Sequence, residues 1–297
     1  MPMDDDDNAA RRRSGRRAAE HGIERDVLVR AAVLGQPVAH SLSPVLHRAA
    51  YGALGLDWEF DAIETGTADL AGLLASRGPE WAGFACTMPL KRVALDLADS
   101  ASARASAVGA ANTLLPRSGG WLADNTDVAG ILAALSETGV RPATATVLGA
   151  GGTAQAAVVA LAELGLGGCS VLVRDRSRAA DVVRTAERAG IEVELGALDD
   201  AAGDLVISTL PAGAADALAA RSWRAGQALL DVVYSPWPTP LAAAVAAAGG
   251  TVVSGALMLL HQAARQVELM TGKPPPVDAM RAALLASAPD CGVGGRR

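Results

Sequence analysis

The stretch ATATVLGAGGTAQAAVVALAELGLGGCSVLVRDRS, residues 143–177, constrains the fold more than any other part of the chain. A short apolar run meets a glycine turn, then a long run of alanine, valine and leucine, then a second short apolar run. That order predicts a strand, a tight turn, a helix and a second strand, which together make one βαβ unit. Gly149, Gly151 and Ala154 stand where a dinucleotide fingerprint, G-x-G-x-x-G/A, places its small residues. Small residues let the turn close and let backbone N–H groups approach a pyrophosphate at the helix N-terminus. A turn that needs only a positive φ reads the same way; the flanking strand and helix favour the dinucleotide.

The second strand runs into VLVRDRSR, residues 171–178. A carboxylate here accepts from the ribose 2′-OH of NAD, whereas arginines pair with the 2′-phosphate of NADP. Asp175 is flanked by Arg174, Arg176 and Arg178. Three arginines favour NADP, and Asp175 repels the phosphate unless it turns away, so NAD stays open.

The remaining chain alternates in the same manner. Strands are expected near 29–34, at 58–64 and over WAGFACTMP, with helices from Ser43, over TADLAGLLASRG and over LKRVALDLAD. Ser43 reads as the N-cap of its helix, with Pro44 at the first helical position. The stretch SASARASAVGAANTLLP, residues 100–116, is expected to return to a strand, and TDVAGILAALSETGV to form a helix. Further strands are expected at 204–210, 228–234 and 251–255, with helices at 240–248 and 256–272. The fold class is α/β: an N-terminal α/β domain with a mainly parallel sheet, followed by a Rossmann-type domain, with the break near 125–130.

Composition narrows the partners. The net charge of −6 disfavours nucleic acid, which needs a basic surface. Cys86, Cys169 and Cys291 are too widely spaced for a disulfide framework or a metal motif, so a reducing cytoplasm is expected. Residues 1–27 carry an acidic block and then arginines without an apolar core, which reads as a disordered tail. Residues 288–297, ending CGVGGRR, read as a loose tail. No stretch reaches the roughly 18 apolar residues of a membrane span. A small-molecule partner is expected, and a homodimer is left open.

Three places carry chemistry. GQPVAHSLSPVLH, residues 35–47, concentrates hydroxyls and imidazoles where prolines force a turn, and reads either as a helix-capping loop or as a binding loop. Lys91 follows a strand–proline break, where a side chain can project into a cleft. Asp127 lies at the expected domain junction. A lysine beside a carboxylate can serve as the proton donor that reduction of a ketone requires. Lys91 equally reads as a surface lysine and Asp127 as a helix cap. His40 and His47 lack a third ligand, so no metal is expected, and His47 reads as a helix residue satisfying local hydrogen bonds.

The segments GQPVAHSLSPVLH, TMPLK, AVGAANTL, DNTDVAG, GAGGTAQA, DVVYSPWPTPL and GALMLLHQAARQVELMTG resemble, in order, the signatures of the shikimate dehydrogenase family. The resemblance spans about residues 29 to 285. It implies reversible NADPH-dependent reduction of 3-dehydroshikimate to shikimate, with Lys91 and Asp127 as the acid/base pair. Ser41 and Ser43 would bind the substrate carboxylate. Thr87, Asn112 and Gln262 would meet ring hydroxyls or help orient the carboxylate, with Tyr234 near the substrate. Gly149, Ala150, Gly151, Gly152, Thr153 and Ala154 would form the cofactor turn, and Asp175, Arg176 and Ser177 the cofactor-phosphate loop. Thr209 and Leu210 would border the cofactor, with Gly255 and Met258 along the nicotinamide. The implied division is a substrate domain, 28–127, completed by a returning C-terminal helix, 256–287, and a Rossmann domain, 128–255.

At four places the chain departs from the family's pattern. Ala85-Cys86-Thr87 replaces Asn-Val-Thr, Arg48 replaces Asn, Asp175-Arg176-Ser177 replaces Asn-Arg-Thr, and Ala123 replaces Gly. The same residues admit an NAD-dependent quinate/shikimate enzyme, or a non-catalytic sensor of a small acid or nucleotide.

Overall fold

The computed structural model describes residues 28–293. The tail expected at 1–27 and the final residues, 294–297, lie outside them.

Six strands form the first sheet: β1 (Val29–Gly35), β2 (Trp58–Glu64), β3 (Trp81–Cys86), β4 (Ser100–Ala101), β5 (Thr113–Arg117) and β6 (Gly120–Asp124), in the order β2-β1-β3-β5-β6-β4. Three of its five pairings are parallel; β5 runs antiparallel to both β3 and β6. Central strand β1 is covered on both faces. Ala32 and Leu34 pack with Phe84 and Leu114, and Ala31 and Val33 with Tyr51 and Phe60. That explains its unbroken apolar run. The connecting helices are α1 (Ser43–Ala53), α2 (Leu70–Ala75), α3 (Lys91–Leu97) and α4 (Ala103–Val108), and α5 (Asp127–Glu137) leads onward.

Two local expectations fail here. The 100–116 stretch contains α4, not strand alone, because the Ser102 side chain accepts from the Ala105 N–H and caps a helix. Ser43 is not the N-cap: Leu42 holds that position without a side-chain bond, and the Ser41 Oγ accepts from the Ser43 N–H at 3.3 Å. The Ser43 hydroxyl is thereby left for the cavity beside it.

The second sheet comprises β7 (Ala145–Leu148), β8 (Gly168–Leu172), β9 (Glu192–Gly196), β10 (Leu205–Ser208), β11 (Ala228–Asp231) and β12 (Thr251–Ser254). Its order is β12-β11-β10-β7-β8-β9 and every pairing is parallel. This is the doubly wound arrangement, whose strand order reverses between β7 and β10, where a crevice opens. Its helices include α6 (Gly152–Glu163), α7 (Ala180–Ala189) and α8 (Pro240–Ala247). Residues Ala154 to Leu161 of α6 are all buried, so this helix, itself rich in small residues, is covered on every side.

Helices α9 (Gly255–Thr271) and α10 (Val277–Ser287) return to the first sheet, α9 along α5 and α10 against α1. Gly130 permits the α5–α9 approach: a Cβ there would lie 2.8 Å from the Met258 carbonyl oxygen and 2.9 Å from the Gln262 Cβ. Across the two halves, Arg104 of α4 grips Glu163 of α6 at 2.9 and 2.7 Å. The chain end corrects another expectation. Within 288–293, Cys291 and Val293 are buried, and the Cys291 carbonyl accepts from the Ser254 hydroxyl, while Pro289, Asp290 and Gly292 are exposed.

Candidate active site

Lys91 begins α3 and Asp127 begins α5, so two separate strand-to-helix breaks bring them together. The Lys91 Nζ lies 2.5 Å from the Asp127 Oδ2. The lysine side chain is 21% exposed and the aspartate 6%, so the lysine reaches open space while the carboxylate is buried. The second carboxylate oxygen, Oδ1, accepts from the Asn112 Nδ2 at 2.8 Å. Asn112 gives its other amide proton to the Thr126 Oγ1 at 2.9 Å, and its Oδ1 accepts from the Thr126 N–H and the Thr113 hydroxyl. Asn125 accepts from the Asp127 N–H at 3.1 Å and donates to the Ala110 carbonyl. Both asparagines that hold Asp127 are therefore fixed by further bonds of their own, the condition for a preorganised site.

Beside the ion pair is a cavity of about 260 Å³. Ser41, Ser43, Thr87, Lys91, Asn112, Asp127, Tyr234 and Gln262 line it, and Gly255, Met258 and Thr153 close its far side. Val33 and Ala85, paired across β1 and β3, give it an apolar floor. A groove of about 380 Å³ runs past Ala150, Gly151, Gly152, Thr153 and Thr209. Thr87, Lys91 and Thr153 border both spaces, so cavity and groove meet at the lysine.

The groove floor is the N-terminus of α6. Its N-cap, Gly151, makes no side-chain bond, which leaves backbone N–H groups for an anion. Gly149, at φ +106°, turns behind it; a Cβ there would lie 2.6 Å from the Thr209 Oγ1. Thr209 anchors this wall by donating its hydroxyl to the Leu148 carbonyl at 2.7 Å. Six of the expected positions line neither space. Ala154 is fully buried, Gly149 and Leu210 stand behind the turn, and Asp175, Arg176 and Ser177 are exposed after β8. The Asp175 carboxylate accepts from the Ser177 N–H at 2.9 Å and hydroxyl at 2.7 Å, bonds that hold it below the usual carboxylate range. Arg176 reaches the Leu195 carbonyl at 3.0 Å.

Sequence reading missed Gln266. It lines the cavity one helical turn beyond Gln262, and that i, i+4 spacing was the available signal. It also missed Arg92 and Asp181, paired at 2.8 Å at the groove's edge. Burial pushes the Cys86 thiol up to about 12, opposed by Lys91, so this cavity residue is no nucleophile. Arg48 donates to the Phe60 carbonyl at 2.9 Å and faces Asp61, away from the site.

Comparison with known proteins gives this geometry a family. Residues 33–114 match the shikimate dehydrogenase substrate binding domain, and residues 255–285 the shikimate 5′-dehydrogenase C-terminal domain. The shikimate dehydrogenase (NADP(+)) of Aeropyrum pernix is 38% identical over 253 residues, covering 82% of this chain and 92% of that protein. The chain belongs to the shikimate dehydrogenase family. Shikimate dehydrogenase of Mycobacterium tuberculosis superposes with a TM-score of 0.80 at 50% identity, covering 87% of this chain and 99% of that one. The Thermus thermophilus shikimate 5-dehydrogenase, solved with NADP(H) and shikimate, gives 0.77 at 35% identity, covering 88% and 100%. Among the described residues no helix is long and apolar enough to cross a membrane.

Proposed function

We propose that this chain catalyses the reversible NADPH-dependent reduction of 3-dehydroshikimate to shikimate. The observation that carries this reading is the Lys91–Asp127 pair at the meeting point of a polar cavity and a helix-N-terminal groove. Reduction of a ketone needs hydride from one side and a proton at the oxygen from the other, and Lys91 borders both spaces. The groove suits a dinucleotide: uncapped N–H groups of α6 face it, and the turn behind it has no room for side chains at Gly149. The chemistry such a cofactor supplies when bound is hydride transfer.

The chain's own residues do the rest. Lys91 gives a proton to the carbonyl oxygen in the reductive direction and takes it back in the other. Asp127 orients the ammonium and balances its charge. The hydroxyls of Ser41 and Ser43 hold the substrate carboxylate, and Thr87, Asn112, Gln262 and Tyr234 address the ring. Gly255 and Met258 border the nicotinamide side. Ala150, Gly151, Gly152 and Thr153, with Thr209, would cradle the pyrophosphate, and Gly149, Ala154 and Leu210 would back the turn from behind. Ser177 draws the Asp175 carboxylate onto itself, which leaves Arg176 and its neighbours to favour the 2′-phosphate of NADP. Residues 28–127 with 256–287 form the substrate side and 128–255 the dinucleotide side. Three free, buried cysteines fit a reducing cytoplasm.

The test mixes purified protein with shikimate and NADP⁺ and follows absorbance of the reduced nicotinamide, with NAD⁺ and quinate in parallel. Turnover with shikimate and NADP⁺ that disappears in Lys91→Ala is expected. Full turnover in Lys91→Ala would remove the lysine from the mechanism, and folded protein inactive with every pair would refute the function.

A further inference from the structure

Behind the reacting pair lies a buried chain of hydrogen bonds whose direction is forced at every step. The Gln266 Nε2 sits 3.1 Å from the Asn112 carbonyl oxygen, which only accepts, so the amide must point its nitrogen there. Its Oε1 then faces the His47 Nε2 at 3.2 Å, so that ring nitrogen must carry the proton. The other ring nitrogen, Nδ1, is left as an acceptor for the Tyr51 hydroxyl at 3.4 Å. On the far side, the Gln266 Nε2 also donates to the Thr113 Oγ1 at 3.0 Å. The Thr113 hydroxyl therefore gives its own proton to the Asn112 Oδ1 at 2.9 Å. Asn112 in turn holds the Asp127 Oδ1, and Asp127 holds Lys91.

His47 and Gln266 are 0% and 1% exposed, and the His47 ring stacks on Phe60 at 3.9 Å. Buried polar groups are retained at a cost unless each is satisfied, and here each is satisfied in one polarity only. Gln266 borders the cavity but has both amide ends taken by protein partners.

We propose that His47 and Gln266 are positioning residues for the reduction, acting through Thr113 and Asn112 to hold Asp127 and Lys91 in their reactive geometry. The inference rests on the proposed reading of Lys91 and Asp127 as the acid/base pair. Without the His47 donor, the Gln266 Oε1 loses its partner and the amide is held at its nitrogen end alone, so its grip on the Asn112 carbonyl and the Thr113 hydroxyl loosens. Thr126, whose N–H still holds the Asn112 Oδ1, limits the damage, so the effect is partial.

The experiment measures kcat and KM for shikimate, with NADP⁺ binding and thermal unfolding, in His47→Met, His47→Gln, Gln266→Met and Lys91→Ala. Methionine keeps bulk but removes the donor; glutamine places an amide N–H near the lost Nε2. His47→Met and Gln266→Met are expected to lower kcat about 3- to 10-fold, the worth of one buried hydrogen bond, with NADP⁺ affinity within about twofold. His47→Gln should recover most of the rate, and the double Met variant should be no slower than either single, since both cut one chain. Unchanged kcat in the Met variants, or a glutamine variant as slow as methionine, overturns the proposal. If His47→Met does not fold, Gln266→Met decides on the same criterion. Loss of turnover in Lys91→Ala with normal rates at His47 and Gln266 would reject only this inference, whereas an active Lys91→Ala would reject the reading beneath it.

Discussion

His47 should make the protein sensitive to acid by a calculable amount. Its ring stacks on Phe60, and its nitrogens meet only Tyr51 and Gln266. Burial lowers its pKa from 6.5 to about 3, with the Gln266 bond opposing in part. The folded state therefore refuses a proton that the unfolded chain accepts below 6.5, so stability falls as pH drops through 6.5 and the loss ends near 3. Each unit in that window costs about 1.4 kcal/mol, and at pH 5 the accumulated loss is about 2 kcal/mol. The assay is urea unfolding at pH 7 and pH 5 on the wild type and His47→Gln. The variant starts less stable at pH 7, because it loses the ring stacking. Its further loss between pH 7 and pH 5 should be smaller than that of the wild type by about 2 kcal/mol, since every other titrating group is common to both. Parallel losses would refute the reasoning: His47 would then titrate alike in folded and unfolded chains, and the directed hydrogen-bond chain through Gln266 would be wrong.

Four further outcomes are expected. Lys91→Ala should lower kcat about 10²- to 10⁴-fold while leaving NADP⁺ binding measurable by fluorescence; a tenfold loss or less would mean another group supplies the proton. Ser43→Ala should raise KM for shikimate about 10-fold or more, the range for a hydrogen bond to a charged group, with kcat nearly unchanged in steady-state assays. Gly130→Ala should destabilise the fold by about 1–3 kcal/mol through overpacking, seen as a lower unfolding midpoint, because its Cβ would press on Met258 and Gln262. Asp175→Ala should loosen the Ser177 turn and change the NADP⁺ to NAD⁺ preference measured by kcat/KM; an identical ratio would show that this acid never faces the ribose.

Much of the fold was legible because it rests on patterns that local physics enforces. The VLGAGGTAQA turn could only join a strand to a helix, and the apolar runs of β7, β8, β10 and β11 are the unbroken kind that a doubly covered parallel sheet requires. Helix α4 was not legible from periodicity, since ARASAV carries almost no apolar stripe; its signals were the caps, Ser102 before it and Gly109 after it. The antiparallel β5–β6 hairpin escaped because Leu115, Leu122 and Trp121 read as part of a longer irregular stretch until their cross-strand partners are known. Burial of Cys291 and Val293 was beyond the sequence altogether, because nothing local ties Cys291 to Ser254. At the site, Lys91 and Asp127 could be nominated one by one. Their 2.5 Å approach depends on the placing of β3 and β6 in the first sheet, which are not neighbours in sequence, a long-range fact that no local pattern encodes.

The distribution of free and occupied hydrogen-bonding groups divides the cavity into two ends. At the Lys91 end, Asn112 has both amide protons and its oxygen engaged, the Asp127 carboxylate is held on both oxygens, and Gln266 is saturated. Away from the lysine, the hydroxyls of Ser43 and Tyr234 line the cavity and have no partner among the described residues. An anionic group entering the cavity finds rotatable neutral donors there, which can follow its position at little cost. On the proposed reading of Lys91, the reacting carbonyl instead meets an ammonium already held by Asp127. Neutral donors also keep the site's charge in balance: Lys91 and Asp127 already compensate each other, so an added arginine would compete with Lys91 for Asp127 across a small cavity. Discrimination then belongs to the adaptable end and shows in KM, and rate belongs to the rigid end and shows in kcat.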